Sequence, residues 1–175
     1  MIWRCRMDYL QLLKENAIPN KWRPRVELYI LNKGKILVGV HPEIGLHVPG
    51  GGVEPGQNLI TASKAEALEE AGAVITNIKL ATKENYYEDW YKLQAEGQPI
   101  TKKDKARMKY FRGIKHHYMK AKFVEFDRSI LGSEGDALSK IKFVSKQELI
   151  RAYEKQGKVF DPPQYAFRIQ VVKTL

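Results

Sequence analysis

Residues 51–73, GGVEPGQNLITASKAEALEEAGA, constrain this chain more than any other stretch. A glycine-rich turn runs into a segment that reads as a short helix carrying Glu66, Glu69 and Glu70. Spacings of three and four residues place those carboxylates on one helical face. Three acids so close repel one another, and a plain solvated helix gains nothing from them. A hard divalent cation such as Mg²⁺ reverses the sign of that interaction. The bland alternative is a solvated acidic face. Against it, Ile60, Ala67, Leu68 and Ala71 fall roughly opposite the acids and are expected to pack inward, leaving the glutamates facing an open space.

The flanking sequence reads as alternating strands and helices. Residues 25–31 and 36–40 are expected to form a hairpin around the Asn32-Lys33-Gly34-Lys35 turn, and residues 74–81 to return to the sheet. Residues 118–126 and 141–144 read as further strands. Ser145-Lys146-Gln147-Glu148 is a capping box that opens a helix running to about residue 155. Pro162-Pro163 precede a final helix ending near residue 173, and residues 7–16 carry a helical pattern stopped by Pro19.

Residues 82–117 are unusual. Their first half holds Tyr86, Tyr87, Trp90 and Tyr91 and reads as a short helix stopped by Gly97. Their second half sets Lys102, Lys103, Lys105, Arg107, Lys109, Arg112 and Lys115 against the single acid Asp104. A connection of this length is either a solvated loop with a few packed aromatics or a substrate lid.

Composition narrows the classes. A chain of 175 residues that is 43% hydrophobic can bury one ordinary core. No apolar run is long enough to span a bilayer, and the N-terminal residues lack the apolar stretch of a secretory signal. A lone Cys5 allows no internal disulfide, so a reducing, cytoplasmic setting is expected. The net charge of +10 favours polyanionic partners such as nucleotides, RNA or inositol phosphates without choosing among them.

The stretch at 51–73 resembles the Nudix box, whose pattern is G, five residues, E, seven residues, R-E-U-x-E-E-x-G-U with U a bulky aliphatic. Gly51 matches the opening glycine, Glu66 the glutamate of R-E, Glu69 and Glu70 the E-E pair, and Gly72 the late glycine. Val48-Pro49-Gly50 and Val53-Glu54-Pro55-Gly56 also look like the family's turn. The family's first glutamate is Gln57 here and its arginine is Ala65, so an acid and a base are lost together. Ala67 and Ala73 are small at U positions. The resemblance covers roughly residues 25–155. It implies an α/β fold, the Nudix α/β/α sandwich with a mixed β-sheet between helices. The expected organisation is a single Nudix domain over residues 1–175, with an N-terminal extension at 1–24 and the aromatic and basic insertion at 82–117.

The same resemblance implies a hydrolase acting on phosphoric anhydride bonds: a pyrophosphohydrolase, dependent on Mg²⁺ or Mn²⁺, that cleaves a nucleoside diphosphate linked to another group. Glu66, Glu69 and Glu70 are then the metal ligands and catalytic acids. The backbone at Gly50 and Gly51, with Lys109 and Arg112, would bind substrate, and an aromatic of the insertion would stack on a base. Glu134 and Asp136 are candidates for an additional acid, and His116 or His117 for a side chain facing the site. The substrate leaning is to nucleoside triphosphates, dinucleoside polyphosphates or an RNA 5′ end. No membrane partner is expected, and the protein is expected as a monomer or homodimer. Gln57 and Ala65 motivate an alternative, a catalytically weak or inactive Nudix-fold module that binds nucleotide or RNA. An isomerase on the same fold would need a placed cysteine, and Cys5 lies far from the box.

Overall fold

The computed structural model describes residues 18–127, 129 and 140–175. The expected helix at 7–16, Cys5, Glu134 and Asp136 lie outside them. Strands β1 (Trp22–Asn32), β2 (Lys35–His41), β3 (Gly45–His47) and β4 (Gly50–Gly52) lead into helix α1 (Leu59–Ala71). Then come β5 (Ala73–Leu80), β6 (Tyr86–Asp89), α2 (Trp90–Ala95), α3 (Lys102–Arg107), β7 (Gly113–Phe126), β8 (Ile141–Ser145), α4 (Lys146–Gly157) and α5 (Pro162–Thr174). One sheet has the order β3-β2-β1-β7-β5, with β4 on β1, β6 on β7 and β8 on β2. Contacts group the chain into two compact units. Of the described residues, the smaller comprises 18–25 with Tyr87–His116, and the larger those of Val26–Tyr86 and His117–Leu175.

In the larger unit the sheet is buried on both faces. Val26, Leu28 and Ile30 of β1 point to one side and pack with Ala62, Ala67 and Ala71 of α1 and with Met119 and Ala121 of β7. Tyr29 points to the other side, where Tyr118, Leu149, Tyr153, Tyr165 and Val172 complete a second core beneath α4 and α5. Full burial of Leu28 or Ile30 stabilises by about 1.5–3 kcal/mol each. The outcome is the expected α/β/α sandwich.

Local chemistry sets the element ends. Lys33 and Gly34 both have positive φ, at 48° and 77°, as a two-residue hairpin loop with the twist of its strands requires. The Asn58 side chain caps α1 by accepting the Thr61 N–H at 2.8 Å. Gly72 closes the same helix in the left-handed conformation, φ 57°, and its N–H donates to Leu68 at 2.9 Å. Ser145 caps α4 as its capping box predicts, accepting the Glu148 N–H at 3.1 Å.

Two expectations are corrected. Ile60 is 47% exposed rather than inward, and Ser63 is buried in its place. The Ser63 hydroxyl donates to Leu59 O at 2.7 Å, so it satisfies its own donor within the helix. Small residues at 62, 63, 67 and 71 give α1 a flat inner face. The second correction is at 86–89, expected to be helical, which forms β6 and pairs with β7. In the smaller unit, helix begins only at Trp90, which is fully buried with Met108 and Ile114 in a core of that unit's own. Gly97 follows the helix with φ 73°.

Candidate functional site

Helix α1 and the glycine strand β4 bring the sequence-predicted acids to one turn. Glu70 Oε2 accepts the Gly50 N–H at 2.9 Å, which ties the last turn of the helix to β4. The Glu66 carboxylate lies over Gly51, where a β-carbon would collide with it. A β-carbon at Gly50 would collide with the Val26 carbonyl of β1. Both glycines are therefore places of close approach, Gly51 to a movable carboxylate and Gly50 to fixed backbone. Glu69 is exposed on α1.

This arrangement is unfavourable for the helix alone. Glu69 and Glu70 lie in the last turn, at the negative end of the helix dipole, and that turn has no basic residue. The Gly50 amide offsets part of that cost at Glu70. The Glu66 and Glu70 carboxylates supply oxygen donors at the turn, of the kind suited to a hard divalent cation. Among the described residues no group of three or more His, Cys, Asp or Glu converges closely enough to hold a metal ion. Glu66 and Glu70, at the glycine turn, are the residues that would hold one.

The family departures are accommodated locally. Gln57 Oε1 accepts the Glu54 N–H at 3.0 Å, and the Gln57 N–H returns to Glu54 O at 3.0 Å. Gln57 thus closes the loop on itself with an amide where the family has a carboxylate. Ala65 is partly buried on α1.

The other candidates have partners within their own units. Arg112 of the smaller unit is paired with Asp89, its Nε and NH2 donating to Oδ2 at 2.8 and 2.7 Å. Lys109 sits over the Tyr110 ring at 4.7 Å. His116 is buried and lies 3.3 Å from Glu88 Oε2, whose other oxygen accepts from Trp90 Nε1 at 3.0 Å. Trp90 is thereby a core residue with its polar edge satisfied. The Tyr91 hydroxyl donates to Met108 O at 2.7 Å. Tyr86 of the larger unit donates to Asp161 at 3.2 Å. Of the four aromatics proposed as base stackers, only Tyr87 is exposed, at 47%.

One polar cluster went unnoticed in the sequence. In the larger unit, Arg168 of α5 donates from Nε and NH2 to the two oxygens of Glu27 at 2.8 and 2.7 Å. Its guanidinium lies 4.8 Å from the Tyr165 ring centroid and 5.9 Å from that of Tyr153. Burial alone would lower the Arg168 pKa, but the Glu27 carboxylate outweighs it and holds the group well above its ordinary value. Burial pushes the phenols of Tyr29, Tyr118 and Tyr153 upward. The available signal was an acid between Val26 and Leu28, inside a strand apolar on both faces.

No protein-family profile and no curated protein sequence matches the chain. Solved structures do. A NUDIX hydrolase from Nitrosomonas europaea superposes with a TM-score of 0.58 at 18% identity, over 88% of each chain. A MutT structure from work on Aliivibrio salmonicida and Vibrio cholerae gives 0.56 at 17% identity, over 89% of this chain and 100% of that one. An ADP compounds hydrolase gives 0.55 at 12% identity, over 89% and 72% respectively. At these identities the likeness establishes the fold: the chain has the Nudix α/β/α sandwich.

Proposed function

We propose that the chain is a metal-dependent Nudix pyrophosphohydrolase that splits the phosphoric anhydride bond of a nucleoside diphosphate linked to another group. The observation that carries this is the convergence of Glu66 and Glu70 on the Gly50–Gly51 turn, against the electrostatic preference of their own helix. Glu66 and Glu70 would hold Mg²⁺ or Mn²⁺. When bound, the ion would offset the charge of the diphosphate and acidify the attacking water. The chain's own groups do the positioning. The Gly50 amide fixes one oxygen of Glu70, and Gly51 leaves room for Glu66 to lie against the turn. Glu69, exposed on the same helix, would accept the proton of the attacking water. The leaning to nucleoside triphosphates, dinucleoside polyphosphates or an RNA 5′ end rests on the basic residues of the insertion at 82–117, which suit a substrate with several phosphates.

A second proposal is a binding module without turnover, favoured by Gln57 and Ala65 at positions where the Nudix box has an acid and a base. A nucleotide, dinucleotide and capped-RNA panel with Mg²⁺ and Mn²⁺, its products identified by mass, separates the two. Glu70→Gln can still accept the Gly50 N–H but loses the charge. It is expected to stay folded, to bind Mn²⁺ at least tenfold more weakly by calorimetry, and to lose turnover. A wild type that binds nucleotide and releases no product would establish the module; unchanged Mn²⁺ affinity in Glu70→Gln would remove the assigned ligand.

A further inference from the structure

We infer that the smaller unit carries a docking surface for single-stranded nucleic acid, built from Trp22, Tyr87, Tyr110, Lys109, Arg112 and Lys115. The inference stands apart from the hydrolase proposal, because none of these residues belongs to the Glu66–Glu70 turn.

Charge is concentrated here. Residues 18–25 and 87–116 hold eleven Lys and Arg against four Asp and Glu, so they carry +7 of the chain's +10. The residues of the larger unit are close to balanced, with sixteen basic and fourteen acidic. All four acids are also occupied within the smaller unit, Glu96 by Lys92 at 4.0 Å. Asp89 pairs with Arg112 and caps α2 through the Lys92 N–H. Asp104 takes Arg107 at 3.2 Å and the Thr101 hydroxyl at 2.6 Å. Glu88 receives Trp90 and faces His116. Lys102, Lys103, Lys105 and Lys109 are left exposed on or beside α3.

Aromatic rings are interleaved with that charge. Trp22 and Tyr87 meet edge to face at 4.9 Å. Arg112 lies 5.3 Å from the Trp22 ring and Lys115 5.7 Å from the Tyr87 ring. The Arg112 N–H donates to Lys21 O at 2.8 Å, which places Phe111 and Lys21 beside this group, and Lys21 lies over the Phe111 ring at 5.4 Å. Lys109 covers Tyr110, which is 61% exposed. The unit's core is made from Trp90, Met108 and Ile114, so Tyr87 and Tyr110 are not needed to fill it.

Exposed flat rings next to cations suit a ligand that is both polyanionic and π-faced. Single-stranded RNA or DNA offers unstacked bases and a phosphate at each step. A duplex hides the base faces, and an acidic peptide has no use for the rings.

The test is fluorescence anisotropy of a 5′-labelled twelve-nucleotide oligomer with full-length protein in EDTA, so that no metal-dependent turnover intervenes. Single-stranded RNA, single-stranded DNA, the same sequence as duplex, and phosphatidylserine vesicles are compared across salt. Single strands should bind more tightly than duplex, and the RNA and DNA arms identify the preferred sugar. Affinity should fall with salt by a log–log slope of about −0.7 per phosphate neutralised. Tyr110→Ala should weaken binding about 5- to 150-fold with the slope unchanged, and Tyr110→Phe should restore it. Lys109→Gln should lower the slope by roughly 0.7. Glu70→Gln should bind the oligomer as wild type does, whatever becomes of hydrolysis. The inference is overturned if single strands do not bind at low salt, if duplex or vesicles bind as well or better, or if both Tyr87→Ala and Tyr110→Ala leave affinity unchanged.

Discussion

The Glu66 carboxylate occupies the space beside Gly51 that a side chain at that position would need. One turn of helix and one glycine thus define each other: the acid lies close to backbone only because residue 51 has no β-carbon.

Gly51→Ala follows directly. The atoms nearest the new methyl belong to the end of a flexible glutamate, so the acid is expected to swing aside and the fold to be kept. Stability should change by less than about 1 kcal/mol, near the background for changes outside the core. Metal-dependent turnover should fall at least tenfold, because a displacement of about 1 Å at a catalytic group is costly. Parallel thermal melts and kcat/KM measurements check both halves. A large drop in melting temperature with normal activity per folded molecule would reverse the assignment.

Gly50→Ala should behave in the opposite way. Its methyl would meet the Val26 carbonyl and the Glu27 Cα, and backbone inside a sheet cannot swing aside. A loss of about 1–3 kcal/mol is expected from strain of this kind. Urea unfolding measures it, and a change below about 0.5 kcal/mol would mean that β4 and β1 part easily.

Some of these relationships were written locally in the sequence and some were not. The turn at Lys33-Gly34, the Gly72 helix end and the Ser145 capping box depend on residues within four positions, so short patterns disclose them. So does the helical spacing of the three acids. That Glu70 bonds Gly50 and Glu66 lies against Gly51 does not follow from spacing, because which atoms meet the turn is set by how α1 sits on β1 and β7. The strand at Tyr86–Asp89 was hidden for the same reason: its aromatics suit either element, and pairing with β7 decides. Glu27 and Arg168 are 141 positions apart, and only the packing of α5 on the sheet joins them.

That pair gives a third prediction. Arg168→Met removes the guanidinium that donates to both oxygens of the buried Glu27 carboxylate, whose side chain is 4% exposed. Removing one partner of such a pair costs about 3–5 kcal/mol, whereas replacing both by apolar groups is often nearly neutral. Arg168→Met should therefore be strongly destabilised, and adding Glu27→Leu should recover most of the loss. Urea unfolding of the two single variants and the double provides the cycle. Simple additivity would show that the pair is not coupled.

Alkaline pH should destabilise the larger unit through the phenols around that pair. Burial raises the pKa of Tyr29, Tyr118 and Tyr153 in the folded chain, while the unfolded chain keeps ordinary values near 10.0. Below that value both states hold the phenolic protons and the stabilising contribution is complete. Above it the unfolded state releases protons that the folded state retains, so stability falls as pH rises. Each tyrosine adds up to about 1.4 kcal/mol of loss per pH unit in that window. Three acting together predict a drop of about 3 kcal/mol between about pH 10 and about pH 11, read as a shift in the urea midpoint. Tyr118→Phe removes one ionisable group and keeps the ring, so its slope should be shallower by about a third. An identical slope in that variant would mean that Tyr118 ionises in the folded chain as readily as in the unfolded one, against its burial beneath α5.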